Sequence, residues 1–151
     1  MTTDTRLSFL RFVDFINSAD PSIGETVIAP EAAFLTPFSP EPLRGLPGYL
    51  QILTIMRGAF SDIQWSIDRI VVEGDTVAAR FELRGTHDGE FLGVPATGRT
   101  VVANASNFYR FDEGLIVDEV GQPDVLGILG QIGALPPSSR RSGAQPSTDR
   151  G

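Results

Sequence analysis

The chain contains no cysteine and no lysine, and only one histidine, His87. Without cysteine there is no thiolate nucleophile, no disulfide and no cysteine-ligated metal. Without lysine, Schiff-base catalysis is excluded, whether as a lysine-type aldolase or by pyridoxal phosphate attachment. A lone histidine rules out a histidine-rich metal site within one chain. No apolar run approaches the roughly 20 residues of a membrane-spanning helix. Positive charge is also scarce: all 12 basic residues are arginine, against 19 acidic ones, and the net charge is −7. Such a balance argues against nucleic acid or an anionic membrane as partner, since either calls for a basic face. MTTDTRLSF does not read as a signal peptide, so the cytoplasm is the expected location. The available chemistry is that of carboxylates, hydroxyls, amides, one imidazole and the shape of a cavity.

The chain has 151 residues, 41% of them hydrophobic, enough for one domain that buries a sizeable core. Leu7, Leu10 and Val13, with Phe9, Phe12 and Ile16, recur at helical spacing and predict an amphipathic helix over Thr3–Ser18. Asp20-Pro21 opens a second short helix, which ends by Ala29-Pro30 because the residue before proline is driven out of helical geometry. A short strand over Ala32–Thr36 follows, then a loop over Pro37–Pro47 that is a candidate lid, then a helix over Tyr49–Phe60. Strands over Ile63–Glu73 and Thr76–Thr86 flank the two-residue turn Gly74-Asp75. Strands over Val101–Phe111 and Leu115–Gly121 flank Asp112-Glu113-Gly114. A last helix is expected over Pro123–Ile132. Residues 1–135 read as a single domain, and 136–151, PPSSRRSGAQPSTDRG, as a disordered tail with almost no apolar content. Helices first and antiparallel strands afterwards define an α+β fold.

Two stretches are distinctive: GTHDGEFLGVPATGR (Gly85–Arg99) and FDEGLIVDEVGQPDVLGILGQIG (Phe111–Gly133). Together they resemble the SnoaL-like polyketide cyclases, whose members carry G-x-H-x-G-x-x-x-G-x-P-P-T-G-R, a closing hairpin and a short helix ending in Q-L-G. The departure within the first motif is mild, with Pro95-Ala96-Thr97 in place of Pro-Pro-Thr. The resemblance covers roughly residues 5–134. It implies a cone-shaped curved antiparallel sheet wrapped by three helices from the N-terminal half plus a short C-terminal helix, as in nuclear transport factor 2 and ketosteroid isomerase. It further implies an apolar pocket for a hydrophobic, polyketide-like small molecule, no cofactor, and pairing into a homodimer through the outer sheet face.

The same resemblance removes the usual catalytic pair. In the aldol cyclases a His on the first strand of the last hairpin and an Asp near the end of the second do the acid–base work. Counted from Arg110, Gly114 and Ile116, those places fall on Asn107 and Gly121. The base of the ketosteroid isomerase branch falls on Thr36, which cannot serve. For an epoxide hydrolase set, Arg80 or Arg84 would have to supply the cation, yet both have the parity opposite to Val77, Phe81 and Leu83 and read as exposed.

Three candidates for chemistry remain. A three-residue turn would set Phe111 opposite Leu115 and Asn107 opposite Glu119, placing Asn107, Tyr109, Val117, Glu119 and Gly121 on one face. Glu119 in an apolar cavity would have a raised pKa and could serve as a base; with the opposite facing, Asp118 would point inward instead. Asn107 could hydrogen-bond a substrate carbonyl. His87 is either a general acid or base at a pocket mouth or a turn histidine bonded to backbone in the loop 88–98. Asp124 suits the first turn of the last helix. Tyr49, Met56, Phe60, Trp65 and Tyr109 are candidates for the pocket wall. Three functions follow: a cofactor-independent cyclase working largely by proximity, a hydroxylase or epoxide-opening enzyme of the same fold, or a non-catalytic binding protein.

Overall fold

In the computed structural model, residues 4–135 are described; Met1–Thr3 and the expected tail over 136–151 lie outside the described residues. The elements run α1 (Thr5–Ser18), α2 (Pro21–Val27), β1 (Ile28–Leu35), β2 (Leu43–Arg44), α3 (Gly45–Ala59), β3 (Gln64–Glu73), β4 (Thr76–Thr86), β5 (Thr100–Asp112), β6 (Leu115–Pro123) and α4 (Val125–Gln131). The six strands form one curved sheet in the order β2-β1-β6-β5-β4-β3. Neighbours are antiparallel except β1 and β6, which run parallel. The expected α+β cone is therefore the fold observed.

Helix α1 buries a different stripe from the one centred on Leu7, Leu10 and Val13. Phe9, Phe12, Phe15 and Ile16 are at most 2% exposed, whereas Leu7 is 61% and Leu10 40% exposed. Phenylalanines spaced by three hide more apolar area than the leucines beside them, so they decide which face turns inward. Asp4 caps the helix by accepting from Leu7 N–H at 3.2 Å. At the other end, Asn17 clamps α1 to β3: its Nδ2 donates to Trp65 O at 2.9 Å and its Oδ1 accepts from Trp65 N–H at 2.8 Å.

Asp20 caps α2, and hydrogen bonds from the Ser22 hydroxyl and main chain hold its carboxyl below the usual range. The helix ends at Val27. The strand that follows is longer than Ala32–Thr36, because Pro30 is taken into β1. Proline has no N–H to give a ladder, and the β1–β6 register breaks between Ile28 and Ala33, the interval that contains it. Helix α3 likewise starts earlier than Tyr49. Pro47 sits in its first turn, where a missing N–H costs nothing, so the Pro37–Pro47 loop shrinks by the two residues of β2 and the start of the helix.

The last hairpin differs from the expected pairing by two residues. Its turn holds only Glu113 and Gly114, both at positive φ (51° and 80°), the mirror-image turn whose twist suits a hairpin. Asp112 pairs with Leu115 and Phe111 with Ile116, but Arg110 pairs with Asp118, which leaves Val117 as an extra, bulged residue. Val117 thus leaves the inner face, which Ile116 and Glu119 share despite their opposite parity: both are buried. The bulge sets Glu119 opposite Tyr109 and Asn107 opposite Gly121.

Between β4 and β5 the segment 87–99 folds back as a strap over the C-terminal end of α3. The Asp88 and Gly89 amides donate to Ala59 O at 3.1 and 3.0 Å. Gly89 lies so close to the Gly58 carbonyl that a Cβ there would collide with it. Asp88 accepts from the Ser61 amide and hydroxyl, bonds that hold its carboxyl below the usual range. Phe91 is fully buried against Phe60 and Phe38, at ring separations of 5.5 and 6.3 Å.

Candidate active site

Two tyrosines are locked in place by the rings of α1 and β1. Tyr109 contacts Phe9 and Phe12 at 5.1 and 5.3 Å between ring centres, and Tyr49 contacts Phe12 and Phe34 at 5.2 and 4.9 Å. Such aromatic pairs add to area burial and fix ring orientation. Both hydroxyls have pKa values raised well above the ordinary one by burial and by proximity to Glu119.

Glu119 is 4% exposed. Its environment is the apolar interior, and desolvation pushes its pKa up to about 8; a hydrogen bond with Tyr109 pulls the other way. Asp118, the neighbour that would have pointed inward under the opposite facing, instead bonds Arg110 at 2.8 Å on the outer face. Asn107 lies half-buried beside the pair. Its Nδ2 donates to the Tyr109 hydroxyl at 3.0 Å, and its Oδ1 accepts from Gln122 N–H at 2.9 Å.

These groups border a cavity of about 50 Å³ lined by Leu35, Thr36, Phe38, Tyr49, Ile52, Met56, Trp65, Leu83, Ala105, Asn107, Glu119, Gly121 and Pro123. Leu35, Thr36, Gly121 and Pro123 also line an outer groove of about 460 Å³, so the two adjoin there. Phe38 is shared with a second groove, about 660 Å³, along the outer side of α3. Gly121 lies beside the acid: a Cβ there would lie 3.5 Å from a carboxylate oxygen of Glu119 and 3.7 Å from Asn107 Oδ1. Both are ordinary contact distances, and Glu119 itself lines the cavity.

Of the residues expected in the wall, Tyr49, Met56 and Trp65 line the cavity, while Phe60 does not; it packs beneath the strap against Phe91 and His87. Tyr109 stands behind the wall and reaches the site through its hydroxyl. His87 is fully buried in the strap and is not among the lining residues. Its Nδ1 accepts from Thr97 N–H at 3.2 Å and lies 2.9 Å from the Thr97 hydroxyl, the arrangement of a turn histidine. Asp124 caps α4 by accepting from Gly127 N–H at 2.9 Å. Arg80 is half-exposed and paired with Asp68, and Arg84 is 62% exposed. Thr36, Phe38, Ile52 and Gly121 were not picked out as pocket wall in the sequence, because only the closure of β1 and α3 over the hairpin brings them together. Among the described residues no group of three His, Asp or Glu is placed to hold a metal, and no helix is long and apolar enough to cross a membrane.

A curved sheet closed by helices over an apolar cavity, with Glu119 buried on its inner face, defines an α+β cone fold with an internal pocket. The profile of the SnoaL-like polyketide cyclases matches residues 7–132, and the chain belongs to that family. It is 35% identical over 93 residues to the aklanonic acid methyl ester cyclase DnrD of Streptomyces peucetius; the match spans 60% of this chain and 63% of DnrD. Among solved structures, it resembles wild-type IdmH of Streptomyces antibioticus (30% identity, TM-score 0.76, 87% of this chain and 99% of that one). It also resembles AclR of Streptomyces galilaeus, a proposed hydroxylase (26% identity, TM-score 0.75, 87% and 97%).

Proposed function

We propose that this protein is a cofactor-independent cyclase of carbonyl-rich, polyketide-like molecules in which Glu119 carries the proton. The observation behind this reading is a carboxyl that is 4% exposed, has its pKa raised to about 8, and lines an apolar cavity. A base with a pKa near the working pH is the efficient kind. In its ionised form Glu119 takes a proton from a carbon flanked by carbonyls. The carbanion adds to a ketone carbon of the same molecule, forming the C–C bond, and the carbonyl electron pair moves to oxygen. Protonated Glu119 then returns the proton to that oxygen. Nothing is oxidised or reduced, and the product is an isomer of the substrate. One glutamate thus does the work of the His/Asp pair whose places fall on Asn107 and Gly121. Holding both reacting carbons in one pocket supplies much of the acceleration, up to ~7–11 kcal/mol in favourable intramolecular cases.

Among the described residues the lining contains no cation, so a free carboxylate in the substrate would meet Glu119 without a counter-charge from them. The reading therefore specifies a substrate whose carboxyl is masked, in keeping with the methyl ester in the name of the DnrD substrate. The cavity of about 50 Å³ holds a few waters, and a multi-ring substrate enters by displacement of Phe38 and the 36–42 turn. The test is to incubate the protein with aklanonic acid methyl ester and follow the product by chromatography and mass spectrometry. An isomer of the starting mass, lost in Glu119→Gln, supports the reading. A product that gains one oxygen atom would instead favour hydroxylation, the activity proposed for AclR. Ligand recovered unchanged would favour a binding protein.

The protein is also proposed to pair through its sheet. Val71, Ala78, Phe108 and Val120 are successive cross-strand partners on β3, β4, β5 and β6. Val71, Phe108 and Val120 are 56%, 61% and 40% exposed, making an apolar row across the outer face that a second copy would cover.

A further inference from the structure

We infer that Asn107 is a positioning residue that works through Tyr109, fixing the direction of that hydroxyl so that its proton is held on Glu119. The inference deepens the reading of Glu119 as the proton-transfer group and takes its catalytic meaning from it, but the geometry has its own logic.

A main-chain N–H can only donate. Gln122 N–H therefore requires the oxygen of the Asn107 amide, 2.9 Å away, and that contact alone decides which way the amide is turned. The other end is then the NH₂ group, which also can only donate. Its partner is the Tyr109 hydroxyl at 3.0 Å, so the tyrosine oxygen must accept there. Tyr109 has a single proton left to give, and Glu119 stands directly opposite it across the hairpin. The result is a one-way chain that begins at the backbone of β6, passes through Asn107 and Tyr109, and ends on the carboxyl.

The titratable groups facing Glu119 are Tyr109 from β5 and Tyr49 from α3. Strand β1 contributes Leu35 and Thr36 to the same space, and α1 contributes only Phe9 and Phe12, packed on Tyr109. Among the described residues no arginine lines the cavity. With no cation to favour the ionised carboxyl, the tyrosine proton is what offsets part of its desolvation, and Asn107 keeps that proton in place. An asparagine that contacted only substrate would not affect the titration of the empty protein.

The experiment is ¹³C-carboxyl NMR of glutamate-labelled, ligand-free protein, with the Glu119 signal identified by its loss in Glu119→Gln. Asn107→Leu and Tyr109→Phe should each raise the Glu119 midpoint, by on the order of one pH unit for a charge-assisted hydrogen bond. Asn107→Leu should add nothing further once Tyr109 is phenylalanine. Should Asn107→Leu fail to fold, Asn107→Ala removes the same donor to Tyr109 with a smaller side chain, and the same rise is expected. An unmoved midpoint in Tyr109→Phe, or shifts that simply add in the double variant, would overturn the relay. Full ring-closing activity in Glu119→Gln would overturn the catalytic reading alone and leave the relay standing.

Discussion

Tyr109 and Glu119 are paired across the last hairpin, each almost wholly buried, because the two-residue turn and the single bulged residue at Val117 each move the pairing by one position. Phe9 and Phe12 hold the tyrosine ring from the helix side, and the Asn107 amide bonds its hydroxyl at 3.0 Å.

Removing the acid tests the site most directly. Glu119→Gln keeps the shape and loses the proton carrier, and kcat for ring closure should fall about 10²–10⁴-fold with KM little changed. Steady-state kinetics on aklanonic acid methyl ester checks this, and a loss under about tenfold would contradict the assignment.

The raised pKa of Glu119 also sets a pH profile. The carboxylate is the active form, so kcat/KM should rise about tenfold per unit below about 8 and level off above it. A profile that instead falls through that range would mean the neutral acid is the form needed.

Stability should move the opposite way. Between the ordinary glutamate range and about 8, the unfolded chain has released the Glu119 proton and the folded one has kept it. The native state therefore binds more protons, and stability falls as pH rises through that window, by at most about 1.4 kcal/mol per unit. Below the window the effect vanishes. Chemical denaturation at several pH values should show Glu119→Gln gaining on the wild type as pH increases, with no gain at the acid end.

Phe38 separates the inner cavity from the groove along α3. Phe38→Ala should widen the entrance, lowering KM for large substrates while changing kcat less. It should also cost some stability through the lost packing on Phe91. Unchanged KM across substrates of increasing size would place the entrance elsewhere.

Gly89 lies against the main chain at the end of α3. Gly89→Ala would force the strap away from Gly58, and a destabilisation of about 1–3 kcal/mol is expected from such overpacking, measurable as a drop in Tm. Gly58→Ala, whose added methyl meets open space within α3, is the matched control and should hold or raise Tm, since alanine is the better helix former.

The fold was largely legible because it rests on local signals: alternation in β4, the Gly74-Asp75 turn, and Asp-Pro at the start of α2. The motif over 85–99 marked the family through the glycines and the histidine that build the strap. Strand parity narrowed the inward acid to Glu119 or Asp118 without choosing between them, and the pairing drawn from it was not the one observed. A two-residue turn plus a bulge and a three-residue turn without one give the same facing at Glu119 but different partners, and nothing in the residues Leu115 to Val120 announces the extra one. Leu7 and Leu10 misled because hydrophobicity alone does not rank leucine below phenylalanine, whereas buried area does. Phe38, Ile52 and Thr36 became wall residues only through the closure of distant segments, a long-range event with no periodic trace. The Asn17 clamp on Trp65 spans 48 positions and is equally silent in the sequence.

Trp65 is the one tryptophan of the chain and lines the cavity, with its main chain pinned to α1. Every photon of indole emission from this protein thus comes from the wall of the chamber. The molecule carries its own occupancy gauge: entry of an aromatic guest, escape of water, or the outward swing of Phe38 would each register as a change in colour or intensity, without a label and before any bond is made.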